Sequence, residues 1–361
     1  MSYFRPAIDA LTAYQPGEQP AAGEQVVKLN TNENPYPPSP GALAALQSVA
    51  ADSLRRYPQP AADEFRASAA AVLGIDATWI VAGNGSDDLL TMLFRSVADA
   101  ERPVAFPAPT YSLYRTLARM QGAPAVEVPF DDTYALPVER LAAAAAALTI
   151  VASPNSPSGN RIPNADLDEL AARVSGILVI DEAYAAFATG DALELTARRE
   201  NVVVLRTLSK SHSLAGLRLG FAVAPPALLS GLLKVKDSYN VDAVSARVGA
   251  AAIRDTAHTV ANVERVCASR ERLSAALADI GCRVWPSEAN FLLVRPPDGD
   301  ARNVYERLKA EGILIRYFDE PMLADRMRIT VGTPAQNERL LAALRQLVSP
   351  AVESGRTPND Q

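Results

Sequence analysis

From Trp79 to about Pro226 the chain repeats one pattern: a short apolar run, a turn of small polar residues, then a helical stretch. The runs are WIVAGNGS, RPVAFPAPTY, AVEVPF, LTIVASPNSPSG, GILVIDEAY, NVVVLRTLSK and RLGFAVAPP. Most are rich in β-branched residues and nearly unbroken in hydrophobicity, as strands are when a sheet is covered on both faces. Alternation with helices predicts an α/β unit around a mostly parallel central sheet with helices on both faces. From about residue 242 the texture changes. A long amphipathic stretch (242–280) precedes CRVWPS, ANFLLVRP, a helix around ARNVYERLKAEG, the strands ILIRYFD and RMRITVGT, and a final helix. That is the pattern of a smaller C-terminal α+β domain. The expected organisation is an N-terminal arm (1–30), a large α/β domain (31–241), a small α+β domain (242–348) and a polar, frayed tail (349–361). Residues 31–40 (TNENPYPPSP) hold four prolines and are expected to be irregular.

Composition narrows the partners. The 361 residues are 48% hydrophobic and 21% charged, with a net charge of −6, ordinary for a globular protein. The acidic balance argues against a nucleic-acid or membrane-surface partner, which would select a basic face. No apolar run approaches the roughly 20 residues of a membrane span, and the N-terminus does not read as a signal peptide. Two cysteines, Cys267 and Cys282, suit a cytoplasmic chain with reduced thiols. Two histidines, His212 and His258, leave little material for a His-based zinc site or a Ser-His-Asp triad, and no metal is expected. Only five basic residues are lysines: Lys28, Lys210, Lys234, Lys236 and Lys309. Lysine chemistry therefore has few candidates, and all but Lys210 read as solvated helix or loop cations.

In open α/β sheets ligands bind beyond the carboxyl ends of the strands, where GNGSDD, SPNSPSG, DEAY and TLSK all fall. Asp181 ends ILVID and Lys210 follows VVVLRTLS, with a crossover between them long enough to return both to one edge. Singly, Asp181 could cap a helix and Lys210 be a surface cation. Together they suit pyridoxal phosphate, which takes a lysine amine as a Schiff base and needs an anionic partner for its pyridine nitrogen. GNGSDDLL turns the N–H groups of Gly85 and Ser86 toward an anion at a helix start, although the same letters write an N-cap with Ser86 or Asp87. Ser209 offers a hydroxyl and Arg218 a charge-assisted pair to the same phosphate.

These segments carry a family resemblance. TLSKSHSLAGLRLGF, DEAY, SPNSPSGN, LNTNENPYP and RRYPQP resemble fold-type I aminotransferases of the histidinol-phosphate aminotransferase family, from about Tyr14 to the last helix. The resemblance implies that Lys210 binds the cofactor and, once displaced by substrate, shuttles the proton between Cα and the cofactor C4′. It implies that Asp181 pairs with the pyridine nitrogen, that Asn155 and Tyr184 bond the phenolic oxygen, and that Tyr111 stacks on the ring. Gly85, Ser86, Asp87, Ser209 and Arg218 are then the phosphate cradle. Tyr57 reaches the phosphate of a neighbouring subunit, since the family builds its sites across a homodimer interface. The family usually shows N-P-N-N-P-T-G where this chain has SPNSPSG (153–159).

For the substrate, Arg316 and Arg328 match the family's anion-binding arginines, and guanidinium groups fork equally to phosphate or carboxylate. Tyr14, Asn34 and Tyr239 match further substrate positions. The implied reaction is two-step, ping-pong transamination between L-histidinol phosphate/2-oxoglutarate and imidazole-acetol phosphate/L-glutamate. An aromatic (phenylalanine) aminotransferase is the sister alternative, and a non-catalytic pyridoxal-phosphate sensor domain is an alternative of another class. His212, beside Lys210, is given no catalytic role.

Overall fold

The computed structural model describes residues 2–11, 17–21, 23 and 25–348. Strand β1 (Val27–Lys28) leads into a large α/β unit. Its seven strands are β2 (Ile80–Gly83), β3 (Val104–Ala108), β4 (Ala125–Pro129), β5 (Leu148–Ala152), β6 (Ile177–Asp181), β7 (Val202–Thr207) and β8 (Gly220–Val223). They lie in the order β2-β8-β7-β6-β5-β3-β4, and only β8 runs against its neighbours. Each apolar run of the repeat has become one strand. The near-continuous hydrophobicity has a simple cause in β7. Val203 and Leu205 face Leu89, Leu93 and Leu229 on one side of the sheet, while Val202 and Val204 face Leu167, Leu170 and Leu195 on the other. Side chains alternate across a strand, so a strand covered on both faces is apolar at every position. At the edge, β4 exposes Ala125 and Pro129, and an edge tolerates the missing proline N–H.

Register gathers the strand ends. Ala152 pairs with Asp181, Asp181 with Leu205, and Gly220 with both Thr207 and Gly83. The ends of β5, β6, β7 and β2 and the start of β8 therefore share one edge.

The C-terminal part contains β9 (Arg283–Val284), β10 (Phe291–Arg295), β11 (Ile313–Leu314), β12 (Arg316–Tyr317) and β13 (Met327–Thr330). Four of these form an antiparallel sheet ordered β12-β13-β10-β9, while β11 pairs in parallel with β1. A second core of Leu29, Leu273, Leu292, Ile313, Ile329 and Leu340 lies beneath it.

The changeover between the two cores does not fall at residue 242. The expected single amphipathic stretch is two helices, Ala243–Arg254 and Thr256–Asp279, divided at Asp255, whose carboxylate caps the second through His258 N–H. The first helix packs Val248 and Ile253 with Phe65, Ile80 and Phe221 of the large unit. Only the second carries Leu273 and Leu277 into the small core. A sequence reading sees one continuous apolar face because both helices are amphipathic, although they face different partners. Likewise, Val27 and Leu29 of the expected arm pack in the small core. Within 31–40, Pro40 opens a helix (Pro40–Gln47) capped by Ser39, in keeping with proline's tolerance of a first helical turn.

Candidate active site

A cavity of about 300 Å³ lies between the carboxyl edge of the large sheet and the small sheet. Lys210, Asp181, Tyr184, Tyr111, Ser86, Asp87, Ser209, Arg218, Arg316 and Arg328 all line it. Ten positions anticipated from sequence are thus brought together.

Lys210 is half-buried, and its Nζ donates to the Thr31 carbonyl (3.1 Å) and lies 5.9 Å from the Tyr184 ring centre. Asp181 is 5% exposed at the end of β6. One carboxylate oxygen accepts from the Tyr114 hydroxyl (2.7 Å) and the other from Ala183 N–H (3.1 Å). Burial raises its pKa to about 6, with these two bonds opposing the rise. A buried carboxylate so placed is poorly compensated by the protein alone and suits a cationic partner.

The helix Ser86–Val97 starts at the same edge with no side-chain cap, so its first N–H groups are free for an anion. Gly85 before it has φ 82°, and a Cβ there would lie 2.7 Å from Arg218 Nη2. At Gly220 a Cβ would lie 2.7 Å from Ser86 N. The glycines thus let backbone and guanidinium close into a cradle. Arg218 donates to Ser209 Oγ (3.4 Å) and pairs with the Asp87 carboxylate (3.2 Å), which also accepts from the Tyr111 hydroxyl (3.3 Å). A glycine cradle at a helix start, an arginine, a serine hydroxyl, a lysine amine and a buried carboxylate make a donor set that fits pyridoxal phosphate.

Opposite this edge, Arg328 donates to Ser156 Oγ (2.9 Å) and to the Asn30 carbonyl (2.9 Å). Arg316 is its direct cross-strand neighbour. The two guanidinium groups lie 5.6 and 5.5 Å from the Phe318 ring centre.

Several anticipated positions do not line this chain's cavity. Asn155 is buried and does not face the cavity. Its amide donates to the Pro109 carbonyl (3.1 Å) and Ser158 Oγ (2.7 Å), and its oxygen accepts from Thr110 (2.7 Å). Its polar atoms hold the turn, and Ser156, the next residue, presents its hydroxyl to the cavity instead. Asn34 does not line the cavity either. Its amide donates to the carbonyls of Lys210 (3.1 Å) and Ser211 (3.3 Å), so it holds the backbone that carries the lysine. Tyr57, 82% exposed, stacks on Tyr239 with ring centres 4.6 Å apart, and neither lines this chain's cavity. Tyr14 lies outside the described residues. Lys28 is not a solvated cation: it sits on β1 and pairs with Glu33 (2.5 Å).

Other cavity residues were not anticipated. Tyr114 escaped notice because an apolar-faced helix normally buries its tyrosines for packing; its spacing three residues after Tyr111 in PTYSLY is the signal that both rings share one side. Asn32 donates to the Tyr184 hydroxyl (2.9 Å), and Thr31, Thr207 and Glu320 also line the wall.

Comparison with known proteins agrees with this geometry. The pattern defining the family described as aminotransferase class I and II matches residues 24–344. A histidinol-phosphate aminotransferase 1 of Trichormus variabilis is 54% identical over 347 residues, spanning 96% of this chain and 99% of that protein. A histidinol-phosphate aminotransferase of Geobacter sulfurreducens is 43% identical, spanning 95% and 99%. Among solved structures, histidinol-phosphate aminotransferase from Sinorhizobium meliloti in complex with pyridoxal-5'-phosphate superposes with a TM-score of 0.88 at 28% identity, covering 96% and 98% of the two chains. The chain belongs to the class I and II aminotransferases and, within them, to the histidinol-phosphate aminotransferase family.

Proposed function

We propose that the chain catalyses amino-group transfer between L-histidinol phosphate and 2-oxoglutarate, giving imidazole-acetol phosphate and L-glutamate, or the reverse, with pyridoxal phosphate as cofactor, in histidine biosynthesis. The supporting observation is one cavity that joins Lys210 and Asp181 on the large sheet to Arg316 and Arg328 on the small one. Relatives named for this activity align over nearly the whole chain.

When bound, pyridoxal phosphate supplies a protonated ring that withdraws electrons from the substrate Cα and makes its proton removable. Ser86, Asp87 backbone N–H, Ser209 and Arg218 bind its phosphate, and Gly85 makes room for the guanidinium. Asp181 keeps a proton at the ring nitrogen. Tyr184 would hold the ring's oxygen, and Tyr111 would pack against the ring. Lys210 would hold the cofactor through its amine and, once freed, would be placed to take and return the proton of the substrate Cα. Arg316 and Arg328 hold the phosphate of one substrate and a carboxylate of the other in turn, which a ping-pong reaction requires of a single site.

We propose further that Tyr57, Tyr239 and Tyr14 serve the site of a second copy in a homodimer; the exposed stacked pair is a ready contact. The free thiols of Cys267 and Cys282 suit the cytoplasm. The two sheets are read as a large and a small domain.

Initial rates with glutamate as donor test the substrate: imidazole-acetol phosphate should be preferred to phenylpyruvate. A clear preference for phenylpyruvate assigns the aromatic activity instead.

A further inference from the structure

The cavity carries one carboxylate that the reaction just described does not use. Three carboxylates line it: Asp181, Asp87 and Glu320. Asp181 is bonded to Tyr114, and Asp87 is paired with Arg218. The Glu320 side chain has no hydrogen bond or ion pair among the described residues, although it is half-buried. Its neighbour Asp319 behaves differently, pairing outward with Arg302 (2.7 Å). Arg115, the cation beside Glu320 in a small side recess, feels the Glu320 charge but is held by Glu127 through two bonds of 2.6 Å.

The loop around Glu320 is built. Leu323 N–H donates to the Glu320 carbonyl (2.8 Å), Leu323 is 2% exposed, and the Arg326 guanidinium donates to the Tyr134 hydroxyl (2.8 Å). Phe318 and Leu323, its near neighbours in sequence, line the same cavity wall. This stretch of wall thus combines two apolar side chains and an anionic acceptor, close in sequence to the arginines proposed to take the substrate's anion.

A carboxylate is a poor neighbour for phosphate or carboxylate ligands, so its presence in an anion site calls for a substrate group that donates. Of the groups on an amino alcohol phosphate with an imidazole side chain, the amine is claimed by Lys210's end of the cavity and the phosphate by the arginines. The ring N–H remains. We propose that Glu320 is the specificity-determining residue that accepts the imidazole N–H, selecting a nitrogen-bearing ring over a phenyl ring. A phenyl ring in the same position shields the carboxylate from water and gives nothing back, and sites built around a polar partner discriminate strongly against analogues lacking it. This rests on the reaction proposed above and identifies how its substrate side chain is read.

The test measures kcat/KM of the wild type, Glu320→Ala and Glu320→Gln in two half-reactions, with L-histidinol phosphate and with L-phenylalanine. Calorimetric binding of L-histidinol phosphate to the same proteins in the Lys210→Ala background gives a readout free of turnover. The expected result in Glu320→Ala is a fall of roughly tenfold to a hundredfold in the histidinol phosphate to phenylalanine ratio, the range of a hydrogen bond to a charged group. Binding should weaken in parallel, and Glu320→Gln, which keeps an acceptor, should retain part of the ratio. Equal losses in both half-reactions would overturn the proposal and make Glu320 a loop or Arg115 contact. An unchanged ratio would overturn it too. A wild type inactive on histidinol phosphate would instead reject the reaction itself, so the two failures are distinct.

Discussion

Arg316 and Arg328 stand directly opposite each other across the antiparallel pair β12–β13, two like charges at cross-strand positions facing one cavity. Such a pair opposes folding by up to about 1 kcal/mol, and an anion between the two removes the conflict. Arg316→Ala should therefore leave the melting temperature of the ligand-free protein unchanged or slightly higher. The same substitution should raise KM for the phosphorylated substrate roughly tenfold or more. Arg328→Ala should raise KM for glutamate and for the phosphorylated substrate together; a change for only one would mean that they use separate sites.

The proposed pairing of Asp181 with the cofactor's ring nitrogen would link cofactor loading to pH. Its carboxyl titrates near 3.8 in the unfolded chain and near 6 in the folded one, because it is buried. The folded state binds more protons between those values, so this group makes stability fall as pH rises from about 4 to 6, and the full cost persists above that. The cost is on the order of 3 kcal/mol in the cofactor-free protein. Asp181→Asn should flatten that slope in thermal melts of the cofactor-free protein, raise its stability at pH 7 to 8, and weaken cofactor binding on the order of a hundredfold. Tyr114→Phe removes a bond that lowers the Asp181 pKa, so it should move the slope to higher pH. A variant at Asp181 with an unaltered pH slope would contradict the assignment.

Much of this was legible in the sequence, for particular reasons. Val202 to Leu205 is buried on both faces, so its unbroken apolar run could only be an interior strand, and its end had to present Ser209 and Lys210. Arg316 and Arg328 sit on strands bounded by turns, so their placement followed from pattern as well. The loop residues were harder. In SPNSPSG the choice between Asn155 and Ser156 depends on which way the turn rolls, and that is fixed by Thr110 and Pro109, some 45 residues away. The contact of Asn34 and the place of Tyr114 were not legible because what they bond, the Lys210 backbone and the Asp181 carboxylate, lies far along the chain.

At Gly85 the combination of φ 82° and a close guanidinium leaves no room for a side chain. Gly85→Ala should cost about 1–2 kcal/mol from the backbone alone and also push Arg218 out of the cradle. Cofactor titration should show weakened affinity, while kcat at saturating cofactor changes less. Unchanged affinity would separate Gly85 from the phosphate site.

Lys210→Ala should abolish turnover and the visible absorbance band of the cofactor-loaded protein, while cofactor held through the phosphate cradle remains detectable after gel filtration. An active, yellow Lys210→Ala protein would refute the cofactor assignment.

The contact of Lys210 Nζ with the Thr31 carbonyl has one more implication. Thr31 follows β1, which is paired to β11, and the next residue, Asn32, is tied to Thr330 of β13. The Lys210 amine is therefore tethered, through Thr31 and Asn32, to the small sheet. Whatever draws the amine away from Thr31 unlatches a tie between the two halves, and by reciprocity the posture of the small half biases how readily the amine is released. In this protein the Lys210 amine and the join between the two halves share one hydrogen bond.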